Sequence, residues 1–143
     1  MSFEKYALKF GVEIPFVSLL GFQLSLFENG NSQIDYAPKP EHYNSLNGVH
    51  GGVSMTLLDV AMALAARSVE PELAVLTIEM KTTFMQAAVG DLVAKGHDTA
   101  RSGRDADATV VRRIAGTGDR AHVVVARHVR IAAKIHGVCK ARL

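Results

Sequence analysis

Tryptophan is absent from this chain of 143 residues, and cysteine occurs once, at Cys139. A single thiol closes no internal disulfide, which excludes a disulfide-stapled scaffold and gives no sign of an oxidising compartment. With only 4 prolines and 12 glycines, collagen-like and proline-rich types are excluded. A formal net charge of +2 calls for no polyanionic partner by itself. The longest apolar stretch, residues 53–66, is broken by Asp59 and is shorter than the roughly 20 residues that cross a bilayer. The opening Met-Ser-Phe-Glu-Lys lacks the basic-then-apolar order of a secretory leader. The expectation is a soluble, cytoplasmic protein with no membrane partner. What is present agrees with this. Hydrophobic residues at 48% and charged residues at 21% are ordinary globular proportions, and the length suits one domain over residues 1–143.

Periodicity gives the order of elements. Residues 3–10 suit a short helix ended by Gly11, and Pro15 suits the first turn of a second one through Leu20. Residues 21–27 alternate, with Phe22, Leu24 and Leu26 on one face, as a strand does. Glu28-Asn29-Gly30-Asn31 is a hairpin turn, because Asn-Gly accepts the positive φ angles such turns need. Residues 32–37 return as a strand, and residues 38–47, with two prolines, form a loop. Residues 51–69 are the longest helical segment, free of proline and apolar on nearly all sides, so this helix is placed in the core. Residues 74–85 form a strand with Thr77, Glu79, Lys81 and Thr83 on a polar face and Ile78, Met80 and Phe84 on the other. Strands at 92–96, 109–114 and 121–131 follow, with Val123, Val125, Val129 and Ile131 on one face of the last. One long helix packed on an antiparallel sheet is an α+β layout.

Two features of residues 44–59 could carry chemistry. Gly51 and Gly52 open the long helix, leaving backbone N–H groups uncovered at its positive end, where a ligand carbonyl can approach closely. An oxyanion site can be built from such amides alone; the plainer reading is a tight turn. No Lys-Ser/Thr follows these glycines, so they form no phosphate loop. Asp59 lies between Leu58 and Val60 in an otherwise apolar helix. A carboxylate there is costly unless it is paired or functional; the plainer reading is a solvated stripe or a bond to a hydroxyl such as Thr56. Gly51 and Asp59 are eight residues apart, about 12 Å along a helix axis. One side chain does not span that, so if both serve one reaction they come from different chains, and the site is composite in a dimer.

On these residues the sequence resembles the hotdog-fold acyl-CoA thioesterases of the phenylacetate-pathway (PaaI-like) type. The motif is Asn44, then His50-Gly51-Gly52 six residues on, then Asp59 nine residues after His50. The run Leu76-Thr-Ile-Glu-Met-Lys-Thr-Thr-Phe-Met resembles the family's next strand, with Thr77 at the position of its Ser or Thr. The resemblance implies an antiparallel sheet wrapped around the long helix, in a homodimer or dimer of dimers with sites at the interface. It assigns Gly51 N–H to polarising the thioester carbonyl, and Asp59 of the partner chain to acting as general base or nucleophile. Asn44 and Thr77 would position the water or the Asp, and His50 would support the oxyanion end. Gly52, Met55, Met62 and Phe84 are the candidate substrate-binding residues. The substrate would be an acyl- or aryl-acyl-CoA, coenzyme A being part of it, with no further cofactor and no metal. The alternative is a non-catalytic acyl-CoA or aromatic-acid binding module on the same fold.

The other histidines, His42, His97, His122, His128 and His136, have no metal-ligand spacing and read as scattered surface residues. The resemblance runs from Ile14 to His97 and stops there, so residues 98–143 depart from the family pattern. Residues 1–100 hold 6 Lys and Arg against 11 Asp and Glu, residues 101–143 hold 10 against 3, and no Phe or Tyr follows Phe84. Three readings of this end stand side by side: two plain strands with solvated arginines, a divergent end whose arginines meet coenzyme A phosphates, or a stretch translated out of frame from a GC-rich gene. Without aromatics to stack on bases, the basic end implies no nucleic acid partner.

Overall fold

Proline at the first helical position and Gly21 in the left-handed region (φ 76°) bound the first helix, α1 (Pro15–Leu20). The computed structural model describes residues 10, 11, 13–72, 74–99, 105–112 and 121–135; the helix expected at residues 3–10, apart from Phe10, and the strand end at 113–114 lie outside these. Strands β1 (Gln23–Glu28) and β2 (Asn31–Tyr36) form the expected hairpin. Asn29 and Gly30 both take positive φ, 48° and 79°, in its two-residue turn. A short 3-10 turn at Pro40–His42 interrupts the loop that leads to α2 (Gly51–Val69). Strands β3 (Ala74–Phe84), β4 (Leu92–Asp98), β5 (Asp105–Arg112) and β6 (Ala121–Ile135) follow, all paired antiparallel in the order β1-β2-β4-β5-β6-β3.

Helix α2 touches every strand, so the sheet wraps around it. One helix face is buried, through Leu57, Leu58, Ala61, Met62, Leu64, Ala65 and Ala66, against Leu24, Ile34, Tyr36, Leu92 and Ala94 of the sheet. The opposite face is not: Met55 is exposed, and Asp59, Val60 and Ala63 are half-buried. The helix is thus sheathed on one side only, whereas periodicity put it wholly in the core. By length and composition alone its 19 residues are long and apolar enough to cross a bilayer, but the same apolar content is what a helix needs to lie on a sheet.

The helix approaches the sheet closely at Gly96 of β4. A Cβ there would run into the Ala61 carbonyl and lie 2.7 Å from the Ser32 hydroxyl, which itself donates to that carbonyl at 2.6 Å. Glycine is required here by backbone approach. The hairpin turn is pinned to the far end of the helix, where the Ser68 hydroxyl accepts from Gly30 N–H at 2.8 Å.

Strand β3 departs from the simple alternation expected of it. Two β3 steps, Thr77 to Glu79, answer one β6 step, Ile131 to Arg130. The extra residue reverses which positions face the helix. Before it, Thr77 reaches the helix; after it, Met80 packs on the core and the Phe84 ring reaches Gly51. Thr77 therefore shares a face with Met80 and Phe84, not with Glu79 and Lys81. In β6, both neighbours skip a residue between Ala126 and Val129, so one unbroken alternation does not run through it.

Candidate active site

The loop before α2 closes on itself by main-chain bonds. Asn44 N–H donates to the Gly48 carbonyl at 2.8 Å, and His50 N–H to the His42 carbonyl at 2.9 Å. The Asn44 side chain turns the corner: its Oδ1 accepts from Leu46 N–H at 2.9 Å and Gly48 N–H at 3.1 Å. Val49 N–H donates to the Ala88 carbonyl at 2.8 Å, which ties the loop to the segment after β3.

His50 is the N-cap of α2. Its Nδ1 accepts from Gly52 N–H at 3.0 Å, and its carbonyl accepts from Val53 N–H at 3.0 Å and Ser54 N–H at 3.1 Å. Of the donors in this first turn, Gly51 N–H is left without a hydrogen bond among the described residues. A helix start concentrates partial positive charge, and here it is presented through one amide. The Gly52 amide, expected to be open as well, is used by His50. What Gly52 contributes is a missing side chain, since a Cβ there would lie 3.2 Å from His50 Nδ1.

Two turns further along the helix, Asp59 is half-buried and its Oδ1 accepts from the Thr77 hydroxyl at 2.5 Å. That length is typical of a hydroxyl on a carboxylate. It leaves Oδ2 for another donor. Thr56, the other hydroxyl considered, back-bonds to the Gly52 carbonyl at 2.9 Å instead.

A cleft of about 300 Å³ lies between the loop, the helix start and the segment after β3, lined by Asn44, Gly51, Ser54, Phe84, Met85 and Gln86 among others. Within one chain the structure thus brings Asn44, Gly51 and Phe84 together. It brings Asp59 to Thr77, but neither of those lines the cleft. Met55 is exposed on the open helix face. Met62 is fully buried in the core, so its expected place in a substrate pocket is corrected: on a helix apolar all round, period alone does not say which methionine faces the sheet. His42, read as a surface residue, is buried and bonded to Tyr36. Ser54 and Gln86 were not anticipated; a lone glutamine between Met85 and Ala87 was the available signal. Among the described residues no three His, Cys, Asp or Glu side chains gather to hold a metal ion.

An antiparallel sheet wrapped on one long helix, here with an open amide at the helix start and a carboxylate on its exposed face, defines a hotdog fold. The comparisons agree. The family model of the Thioesterase superfamily matches residues 46–104, a segment that holds His50, Gly51, Asp59 and Thr77. A provisionally named esterase of Archaeoglobus fulgidus is 39% identical over 70 residues, 49% of this chain and 44% of its own. The chain spans about half the length of the curated relatives it matches. Among solved structures, the PaaI protein from the phenylacetic acid degradation operon of Escherichia coli superposes with TM-score 0.72 at 17% identity, over 86% of each chain. A thioesterase family protein from Silicibacter pomeroyi superposes with TM-score 0.72 at 25% identity, over 82% of this chain and 89% of its own. The likeness to PaaI-like hotdog proteins read from the motif holds.

Proposed function

We propose that this chain hydrolyses the thioester of an acyl- or aryl-acyl-coenzyme A, at sites each assembled from two copies. The observation that carries this reading is a separation. The open Gly51 amide faces a cleft that Asp59 does not line, although both residues sit on one helix, about 12 Å apart along its axis. A second copy resolves it by bringing its Asp59 to the first copy's amide. The exposed side of the chain suits such a neighbour. Strand β3 is one edge of the sheet, and Leu76, Ile78, Phe84 and Met85 on and just after it are each more than half exposed, with Met55 open on the helix. An 11-residue edge strand that exposes such apolar side chains is a template for pairing.

The chemistry follows from the groups present. The thioester carbonyl lies at the Gly51 N–H, which stabilises negative charge on its oxygen as the carbonyl carbon becomes tetrahedral. The partner's Asp59 either takes a proton from water, whose oxygen then adds to that carbon, or adds through its own oxygen and is released by water afterwards. In both versions the carbon–sulfur bond breaks and coenzyme A leaves as a thiol. Thr77 fixes one oxygen of Asp59 and leaves the other to react. Asn44 lines the cleft, and with its Oδ1 occupied by the loop its Nδ2 is the group left to meet water or substrate. The scheme uses no metal or redox cofactor. A thiol-release assay over short, long and aryl acyl-CoAs tests it: turnover of at least one class supports the reading, and tight binding without thiol release overturns it in favour of the binding module.

A further inference from the structure

His42 is an unexpected place to put a buried imidazole, and its surroundings give it a task. Tyr36, at the end of β2, is 1% exposed, and His42 is 7% exposed. The Tyr36 hydroxyl lies 2.7 Å from His42 Nδ1, and Lys39 N–H reaches the same nitrogen at 3.2 Å. Burial, with smaller contributions from Tyr43 and Glu41, pushes the Tyr36 phenol well above its ordinary pKa, so its hydroxyl stays protonated and donates. With two donors on Nδ1, the ring proton belongs on Nε2. The two rings stack with centroids 5.9 Å apart, and Phe22 meets Tyr36 edge-on at 5.0 Å. The imidazole is thus fixed in place and in tautomer by a core strand.

Main-chain bonds carry that fixity forward. The His42 carbonyl accepts from His50 N–H. His50 in turn takes up the N–H groups of Gly52, Val53 and Ser54. The position of the one open amide, at Gly51, is set by the residue that His42 holds. We propose that His42, clamped by Tyr36, is a positioning residue that sets where the Gly51 amide points. Its catalytic consequence rests on the hydrolase reading above; its structural consequence does not.

The test uses three variants of the full chain and two readouts: thiol release, and hydrogen exchange of the His50 amide. Tyr36→Phe keeps the stacked ring and removes the hydroxyl. It should raise His50 exchange about tenfold, as loss of one buried hydrogen bond would. It should also lower kcat about tenfold with KM within about twofold, because an oxyanion donor acts on the transition state. His42→Asn puts an acceptor, Oδ1, where Nδ1 was, and should keep kcat within about threefold of the parent; His42→Leu, with no acceptor, should fall at least as far as Tyr36→Phe. Parental exchange and kcat in Tyr36→Phe, or equal losses in His42→Asn and His42→Leu, would overturn the proposal. A parent that releases no thiol would overturn the hydrolase reading instead, and His50 exchange would still decide the clamp.

Discussion

Two pairings of the sheet, one interior and one at an edge, are built differently. On one side β2 pairs with β4 through six consecutive residue pairs without a break, close under the helix at Gly96 and Ser32. On the other side β3 hangs from β6 through a ladder with three register shifts. The first pairing is scaffold: its register is held by buried Ile34, Tyr36, Leu92 and Ala94. The second carries Thr77 and Phe84, and one of its irregularities is what turns both toward the helix. The site is therefore attached to the less regular of these two pairings, at the β3 edge. The strand that supports that edge, β6, belongs to the part of the chain where the likeness to the family fades; the superfamily match stops at residue 104. Fold similarity outlasts sequence similarity there, because pairing needs only backbone and register.

Substitutions on each side test this contrast. Asp59→Ala, on the site side, should lower turnover by about 10²- to 10⁴-fold, the usual worth of a positioned acid–base group, with circular dichroism and oligomer size unchanged. Loss of fold instead would make Asp59 part of the scaffold. Gly96→Ala, on the scaffold side, should cost about 3 kcal/mol or more in urea unfolding, because the added methyl meets a backbone carbonyl that cannot move aside. Thr77→Val should lower kcat about tenfold while changing stability by less than about 0.5 kcal/mol, since it removes a hydroxyl that is exposed. Equal losses in kcat and stability would erase the distinction between the two pairings.

Smaller effects refine it. Because the folded state holds the Tyr36 phenol protonated above its ordinary pKa, its contribution is intact below pH 10 and is lost as pH rises beyond it, at up to about 1.4 kcal/mol per pH unit. Tyr36→Phe should flatten that alkaline slope in a pH series of urea melts. The Thr82 hydroxyl on β3 is buried without a hydrogen-bond partner among the described residues. Thr82→Val should therefore raise stability, by about 1 kcal/mol.

Much of this was legible in the sequence, and the rest was hidden for physical reasons. The long helix ran over the expected residues, because His50 and Pro71 bound an unbroken helix-forming run, and the Asn-Gly turn fixed the first hairpin. Asn44, His50, Gly51 and Asp59 could be picked out because their spacing is local. The bulge in β3 was invisible, since it arises from pairing with a strand some fifty residues later. The Tyr36–His42 clamp was missed because it depends on the path of a loop. Met62 was misplaced because an apolar helix has no phase until a sheet gives it one.

The central claim is that one copy's amide works with the other copy's carboxylate. Gly51→Pro is suited to test it, because proline is tolerated at the first position of a helix and removes only the N–H. Gly51→Pro and Asp59→Ala should each be inactive alone. Unfolded together and refolded at equal concentration, they should regain about a quarter of the parental thiol-release rate, since random pairing gives half mixed dimers with one intact site each. A mixture that stays as inactive as its parts would contradict the account.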